Sequence, residues 1–375
     1  MSKSTKAKVI KNKKKFNFGK VVPFLKTLYK NDAVMEVSAS TKWYWSIFVF
    51  IFSTLVSIIP STVQASQIVG SNVLTNSHDA FENGLCDYVE NSTDKEIITI
   101  DPSGKVSSTQ TEKYYDSYFQ KDSVADKILK PVYTYKAKND ITGSVSNILD
   151  IYVYDGNEIN ESSAVSKELN GIINSNTNFA DGLVTDEAVK YTRTNSFILF
   201  ANGIFYCRTY VNGTASATLS GDYEFVNEAF DFAKSSYTLK QILTNNGKVT
   251  DVKTLENRKS VYNNFGSFCD KVYVNTGWRS TWTTFGIYCA LNGGIMIIMG
   301  LVVFLMTRGK NNPNRTIKFL QSYSIAFWSS ASPAILTLMI GFMIPSFSMM
   351  AFIVMYAFRI MFLSTKQLRP AYPAK

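Results

Sequence analysis

The sequence predicts a membrane protein with four transmembrane α-helices and a large α+β extracytoplasmic domain, residues 66–277, inserted between helices 1 and 2. The first observation behind this prediction is hydropathy, because long apolar runs cover residues 43–65, 284–306 and 319–363. A helix of about 20 residues spans the hydrocarbon core of a bilayer, and the last run is about twice that length. Together the three runs predict four crossings.

The second observation is the distribution of charge. The net charge is +9 over residues 1–42, −8 over residues 66–277 and +9 over residues 279–375, within a total of +10. A nucleic-acid-binding protein gathers its basic residues on one folded face, whereas here they flank apolar segments. Because Lys and Arg stay on the cytoplasmic side of membranes, we expect cytoplasmic termini, an outer middle region, a plasma-membrane location and no nucleic-acid partner.

Residues 1–42 form a basic cytoplasmic arm in this prediction, and residues 1–15 hold too many lysines to fold alone. The next segment carries apolar residues on one helical face and lysines on another. The apolar set is Val21, Phe24, Leu25 and Leu28, and the lysines are Lys20, Lys26 and Lys30. This pattern predicts an amphipathic helix on the inner membrane surface, with its lysines toward anionic lipids. A solvated linker and a segment bound by a cytoplasmic protein are the alternatives.

The first crossing, residues 43–65, starts with Trp43, Tyr44 and Trp45, side chains that suit the headgroup level of a bilayer. A cleaved signal peptide is the alternative, because the small residues ending at Ala65 resemble a cleavage site. The 42 residues ahead of the apolar segment are too many for an ordinary signal peptide. We therefore expect an uncleaved anchor.

The region 66–277 is long enough for a domain with its own core. Alternating apolar residues followed by turn residues predict strands within residues 95–106, 148–159 and 196–219, the last holding three short strands joined by hairpin turns. Asp155-Gly156 also predicts a turn. Helical periodicity covers three stretches: Glu112–Leu129, Asp222–Leu243 and Leu255–Phe268. These elements predict an α+β domain with an antiparallel meander.

Chemistry-bearing motifs are scarce in this domain. The chain has one histidine, His78, which argues against His-based catalytic dyads and His-rich metal sites. Phosphate loops, GxSxG elbows and HExxH motifs do not occur. We expect no catalytic, cofactor-binding or metal-binding residues. The asparagines that begin N-x-S/T triplets are interpreted as loop residues: Asn91, Asn160 and Asn212.

Two further features of the domain leave alternatives open. Cys86, Cys207 and Cys269 permit either one disulfide or three buried thiols, because no CxxC pair occurs. The tyrosine-rich strands could present carbohydrate-stacking faces or form an aromatic core, of which the core is the more common arrangement.

The second crossing, residues 284–306, carries a stripe of small residues. Gly286, Ala290 and Gly294 repeat every four residues, a spacing that lets another helix approach closely. Asn292 lies beside the stripe, and an amide within a membrane prefers a partner in another helix to lipid. The sequence therefore predicts helix packing at these four residues, with a chance excess of glycine as the alternative.

The last apolar run is expected to divide near Gly341–Ser348, because Pro345 removes a backbone donor and breaks a helix. Crossings 3 and 4 are predicted at about residues 320–341 and 346–363, followed by a cytoplasmic tail over residues 364–375. Both ends of this last pair then lie in the cytoplasm, in agreement with the positions of the basic residues.

Pro333 and Arg359 interrupt the apolar character of these crossings. Pro333 predicts a kink at which neighbouring serine hydroxyls bond the freed carbonyls. Arg359 lies one turn before the end of the fourth crossing, from which its charge can reach the lipid headgroups by snorkelling. A functional site inside the membrane is the alternative for Arg359.

Several segments carry a family resemblance: "FLKTLYKNDAVMEV", "SIIPS", "SFILFANGIFYCRTYVNG" and "NRTIKFLQSYSIAFWSSASPAILTLMIGFMIPS". With these segments the chain resembles a little-characterised membrane family of low-GC Gram-positive bacteria and their wall-less relatives, labelled maltodextrin-utilisation-protein-like. The resemblance covers mainly the two ends of the chain. It implies one crossing, an outer domain, three more crossings and a link to sugar uptake, and it supplies no site residues.

The expected function is that of a non-enzymatic multi-pass membrane protein without cofactors, acting as an accessory or regulator of carbohydrate uptake. Its expected partners are membrane lipids together with transporter subunits or a second copy of the chain. A transporter or channel in its own right is the first alternative, although four crossings with almost no buried charge make a poor ion pathway. An outward-facing enzyme is the second alternative.

Overall fold

The computed structural model describes residues 21–92, 97–108, 131–138, 145–154, 195–211, 214–230, 235–309 and 312–368. Contacts divide the chain into two compact units. The first, called the helical unit here, draws on residues 1–66 and 281–375, and the second, called the α+β unit, on residues 67–280.

The helices are numbered in chain order over the described residues. They are α1 (Val21–Lys26), α2 (Asn31–Ser40), α3 (Trp43–Ser66), α4 (His78–Asn91), α5 (Glu224–Ala229), α6 (Leu239–Leu243), α7 (Leu255–Met306), α8 (Phe319–Met343) and α9 (Ser348–Leu363). Short 3₁₀ turns lie at Gly70–Ser77, Pro313–Thr316 and Pro345–Phe347, and a π turn lies at Ser364–Leu368.

Within the described residues, four helical stretches are long and apolar enough to cross a membrane: α3, α7, α8 and Pro345–Leu368, which contains α9. A separate α+β region lies between the first and the second of them. The predicted fold class is confirmed as far as the four long apolar helices and the α+β region between the first two are concerned.

The last apolar run is divided between α8 and α9 by the turn Pro345–Phe347. Pro345 lacks the amide hydrogen that would continue the helical ladder. The ends of α8 and α9 lie within two residues of the predicted limits of crossings 3 and 4.

Helix α7 is much longer than either helical segment predicted for it. The predicted helix Leu255–Phe268 and the crossing at residues 284–306 are parts of one continuous helix of 52 residues. Hydropathy marks only the apolar half of α7, and no proline occurs in the segment between the two parts. Residues of α7 up to Ser280 belong to the α+β unit, and the remainder belongs to the helical unit.

Helix α8 is the centre of the helical unit, where it packs against α3, α9 and α2. Its buried side chains include Ile325 and Ala334, and Phe352 and Tyr356 of α9 are fully buried beside them. The Tyr356 hydroxyl donates to the Ala326 carbonyl at 3.0 Å. Helix α2 is absent from the prediction, yet Val34 and Val37 are buried in this core.

The strands are β1 (Ile98–Ile100), β2 (Val106–Ser108), β3 (Tyr133–Lys138), β4 (Val145–Tyr154), β5 (Ser196–Ala201), β6 (Ile204–Val211), β7 (Thr214–Gly221) and β8 (Tyr237–Thr238). A small sheet has the order β2-β1-β8, and a five-stranded sheet has the order β3-β4-β5-β6-β7. The tight turn between β5 and β6 uses Gly203 at φ +73°, a backbone conformation that favours glycine.

The predicted antiparallel meander is correct for β5-β6-β7 and wrong for the step before it. Strand β4 pairs with β5 in parallel, with Leu149 opposite Ser196 and Tyr154 opposite Ala201. Parallel neighbours require a crossover connection of a dozen residues or more, and 41 residues separate Tyr154 from Ser196. The sheet is therefore mixed.

The predicted continuous helix Asp222–Leu243 is also wrong. Helix α5 ends at Ala229, and β8 pairs with β1 through Thr99–Thr238 and Ile100–Tyr237. Thr238 then starts α6 with a capping box, in which its side chain and that of Gln241 each accept from the other residue's backbone amide. A strand pairing and a new helix start thus interrupt the helical periodicity.

Several predictions concern residues outside the described ranges. They are the disorder expected for residues 1–15, the helix expected at Glu112–Leu129, the turn expected at Asp155-Gly156, and the roles expected for Lys20, Asn160 and Asn212. Asn91, which was expected in a loop, is instead the last residue of α4.

The core of the α+β unit lies between one face of the large sheet and helices α4 and α7. Leu149, Ile151, Ile198 and Phe200 line the sheet side of this core. On α7, Phe268 is fully buried, and its ring centroid is 5.1 Å from that of Phe205. Aromatic burial on this scale is a dominant contribution to the stability of a domain.

Candidate functional site

A row of buried hydroxyls runs along one face of α3 and forms the polar interior of the helical unit. Ser46, Ser53, Ser57 and Ser61 recur at spacings of seven and four residues, and all are at most 7% exposed. The Ser46 and Ser324 hydroxyls are 2.6 Å apart, and those of Ser61 and Ser348 are 2.5 Å apart. Small side chains let helices approach closely, and hydrogen bonds between them add to packing within a membrane.

Asn292 joins this polar interior from α7. Its side chain is 1% exposed, and its Nδ2 donates to the Ser57 Oγ at 2.8 Å. The Ser57 hydroxyl in turn donates to the Thr54 carbonyl at 2.9 Å. The amide therefore has the interhelical partner that its position in an apolar helix calls for, within the same chain.

The predicted small-residue stripe of α7 lies on a different face from Asn292. A Cβ added at Gly286 or Gly294 would meet no described atom within 4 Å, and Ala290 is exposed. Packing within the chain instead uses Gly293 and Gly300, where an added Cβ would lie 3.4 Å from Phe50 and 2.6 Å from Tyr323. The role of the stripe in binding a further helix stays a prediction.

The arm ahead of α3 combines exposed lysines with apolar side chains that pack on α8. Lys26 and Lys30 are exposed. The Phe24 ring stacks on Trp328 at 5.1 Å, and Leu28 packs against the core of the helical unit, whereas Leu25 is 55% exposed. Part of the face expected to enter lipid thus contacts protein, because α1 ends at Lys26 and the following turn redirects the chain.

Arg359 donates hydrogen bonds to two backbone carbonyls of the helical unit. Its Nη1 lies 3.2 Å from the Ser329 oxygen, and its Nη2 bonds the Thr27 oxygen. Ser329 is four residues before Pro333, so proline leaves its carbonyl without a helical donor. The sequence analysis expected serine hydroxyls to satisfy the carbonyls freed at Pro333, whereas the Ser329 carbonyl accepts from Arg359. The Ser329 hydroxyl donates to the Ile325 carbonyl instead.

A charged cluster of the α+β unit was missed by sequence reasoning because α4 was not predicted. His78 Nδ1 lies 3.4 Å from Glu82, and Arg258 Nε lies 3.5 Å from the same carboxylate. The His78 ring also contacts the Tyr262 ring at 4.2 Å. The Glu82 side chain is 12% exposed and that of Arg258 is 30% exposed, whereas His78 is half exposed, so these groups form a partly buried polar cluster.

The thiols of the α+β unit are buried and reduced. Cys86, Cys207 and Cys269 are free and at most 1% exposed. Burial raises the pKa of Cys86 to about 11 and raises the pKa of Cys207 and Cys269 above the ordinary value as well. Because the thiolate is the reactive form, these residues are unreactive while the unit is folded.

The aromatic side chains of the large sheet are part of an interior. Tyr152, Phe197 and Tyr206 are at most 6% exposed, and the Phe197 ring stacks on Tyr206 at 5.9 Å. Of the two interpretations of the tyrosine-rich strands, the structure has the aromatic core at these positions. No group of three or more His, Cys, Asp or Glu side chains that could hold a metal ion occurs in the part of the chain that the structure describes.

The structure thus brings together Asn292 with the α3 serines, and Arg359 with Thr27 and Ser329, while the small-residue stripe stays apart from both. Comparison with protein-family models, curated proteins and solved structures finds no match to this chain.

Proposed function

We propose that this chain is a multi-pass plasma-membrane protein with both ends in the cytoplasm and residues 66–277 outside it. The observation that carries the proposal is the charge pattern. Segments of +9 lie at the two ends of the chain, a segment of −8 lies between the first and second apolar helices, and four crossings bring both ends to one side. Positive charge on the cytoplasmic side orients membrane proteins.

We expect labelling of engineered thiols to reveal this orientation in intact cells. Lys248→Cys lies in an exposed turn of the α+β unit, and Thr316→Cys lies in an exposed position between α7 and α8. A membrane-impermeant maleimide should label Lys248→Cys in intact cells, and Thr316→Cys only after permeabilisation. The unsubstituted chain is the control, because its thiols in the α+β unit are buried. The opposite pattern would show that the chain is inserted the other way round.

The molecular role that we propose is non-enzymatic: the protein is an accessory subunit that binds a carbohydrate transporter in the membrane. The support is the exposed stripe of Gly286, Ala290 and Gly294, where α7 leaves room for another helix, together with the family resemblance. A separate role as a transporter is less well supported. The four apolar spans carry one formal charge, that of Arg359. These spans are Trp43–Ser66, residues 284–306, Phe319–Met343 and Ser348–Leu363.

We expect a bulky residue on the stripe to weaken this association. The full chain, isolated in mild detergent from cells grown on different sugars, should retain a transport subunit. Gly286→Leu should reduce that recovery severalfold, because the added side chain separates the helices. Leu291→Ala is the control, since Leu291 is an exposed residue of α7 that lies about 100° around the helix from Ala290, outside the stripe.

Two results would contradict the accessory role. One is that no transport subunit is recovered under any growth condition. The other is that the pure chain in liposomes carries out sugar uptake by itself, which would favour the transporter alternative.

A further inference from the structure

An apolar groove of about 360 Å³ opens between the turn after α1, the middle of α8 and the end of α9. Its apolar lining comes from all three elements and includes Leu28, Leu336, Met355, Phe358 and Phe362. The rest of the lining consists of Tyr29, Asn31, Ser332, Pro333 and Arg359. All of these residues belong to the helical unit.

The groove therefore combines an apolar surface with one permanent positive charge. The two carbonyl bonds of Arg359 use two of the five N–H donors of a guanidinium. No carboxylate lies within 4 Å of Arg359 among the described residues, and Asp32 of α2 is bonded to Gln367 instead. Backbone carbonyls orient the guanidinium but do not neutralise its charge. The groove therefore favours an anionic ligand.

The position of the groove identifies the kind of anion. Arg359 lies four residues before the end of α9, and the exposed Lys30 follows Tyr29 at the edge of the groove. In the orientation proposed above, on which this inference rests, that end of α9 is cytoplasmic. Basic pockets between membrane helices on the cytoplasmic side bind anionic lipid headgroups, and an apolar lining suits an acyl chain.

We propose that the groove binds one anionic phospholipid, with its phosphate on Arg359 and an acyl chain along Leu336, Met355 and Phe362. The lipid would hold the turn after α1 against α8 and α9, because all three line the groove. The N-terminal arm would then contact lipid in this groove as well as through its exposed lysines.

The test is native mass spectrometry of the full chain in detergent, titrated with phosphatidylglycerol or with phosphatidylcholine. Unsubstituted protein should retain phosphatidylglycerol about tenfold better, since a hydrogen-bonded charge pair accounts for roughly one decade of affinity. Arg359→Gln should abolish the preference by removing the charge. Leu336→Trp should lower the occupancy of phosphatidylglycerol by filling the groove while it leaves the charge in place, so the proposal does not depend on the folding of Arg359→Gln.

Lys366→Gln is the matched control, because Lys366 is an exposed cation beyond α9 and outside the groove. It should keep the preference of the unsubstituted chain, and inorganic phosphate should not displace the lipid. Equal retention of phosphatidylglycerol by Leu336→Trp and the unsubstituted chain would overturn the proposal, as would an equal loss in Lys366→Gln. Lipid binding is measured in detergent and topology in cells, so failure of either proposal can be recognised separately.

Discussion

Gly221→Ala is expected to destabilise the α+β unit strongly, because the added methyl group meets backbone atoms. Gly221 ends β7, and a Cβ there would lie 2.0 Å from the carbonyl oxygen of Val272 on α7. Overpacking typically costs 1–3 kcal/mol when side chains can rearrange. Here a strand and a helix backbone must separate, so we expect a cost of about 3 kcal/mol or more.

The measurement is thermal unfolding of the full chain in detergent, followed with a thiol-reactive fluorescent dye. Unfolding of the α+β unit exposes Cys86, Cys207 and Cys269, which are buried in the native protein. For a unit of this size the expected loss corresponds to a decrease in Tm of roughly 6–12 °C.

Gly266→Ala, on α7, is the matched control. Its added Cβ would lie 3.4 Å from the Ser71 Cβ, which is an ordinary contact, and alanine favours a helix over glycine by about 1 kcal/mol. We expect an unchanged or higher Tm for this variant. If Gly221→Ala unfolds at the temperature of the unsubstituted chain, the close approach of β7 to α7 is not present in the protein.

Phe268→Ala is expected to destabilise the α+β unit by about 3–5 kcal/mol, the range for removing a buried aromatic ring. The Phe268 side chain is fully buried. Its ring centroid lies 5.1 Å from Phe205, 5.9 Å from Phe265 and 6.1 Å from Phe200. Truncation removes ring contacts on several sides and leaves a cavity between the large sheet and α7.

The same thiol-based unfolding measurement applies, with an expected decrease in Tm of roughly 6–20 °C. Leu255→Ala is the control, because Leu255 is an apolar residue of the same helix that is 64% exposed. Substitutions at such surface positions usually change stability by less than about 0.5 kcal/mol. Similar small effects for both variants would show that Phe268 is not in the core.

The elements that were predicted best depend on local physics. The divided run at Pro345 follows from the missing amide hydrogen of proline, and the turn between β5 and β6 follows from glycine at positive φ. The strands β1, β4, β5, β6 and β7 overlap the stretches that the alternation of apolar residues predicted, whereas β2 shares only Val106 with them. In each case the deciding interactions involve neighbours in sequence.

The elements that were missed depend on distant partners. Strand β8 has two residues and exists because β1 lies beside it. Helix α2 is only weakly apolar, and Val34 becomes a core residue because α8 covers it. The parallel pairing of β4 with β5 also joins segments far apart in the chain, and no local pattern distinguishes it from an antiparallel pairing.

The candidate sites divide in the same way. Composition alone identified Asn292 and Arg359, since a polar amide and a cation stand out in apolar helices. Their partners come from other parts of the chain: Ser57 of α3 bonds the amide, and the carbonyls of Ser329 on α8 and of Thr27 in the turn after α1 bond the guanidinium. The ion pair of Glu82 with Arg258 required the contact between α4 and α7.

Hydropathy and the placement of lysine and arginine were therefore sufficient for the number of long apolar helices and for the position of the domain between the first two. Transfer of a side chain from water to an apolar phase is a property of that side chain, so it can be read one residue at a time. The strand order, the groove at Arg359 and the face of α7 that packs within the chain were decided by tertiary structure. Each of these depends on which surfaces meet, and packing between distant segments determines that only in the folded chain.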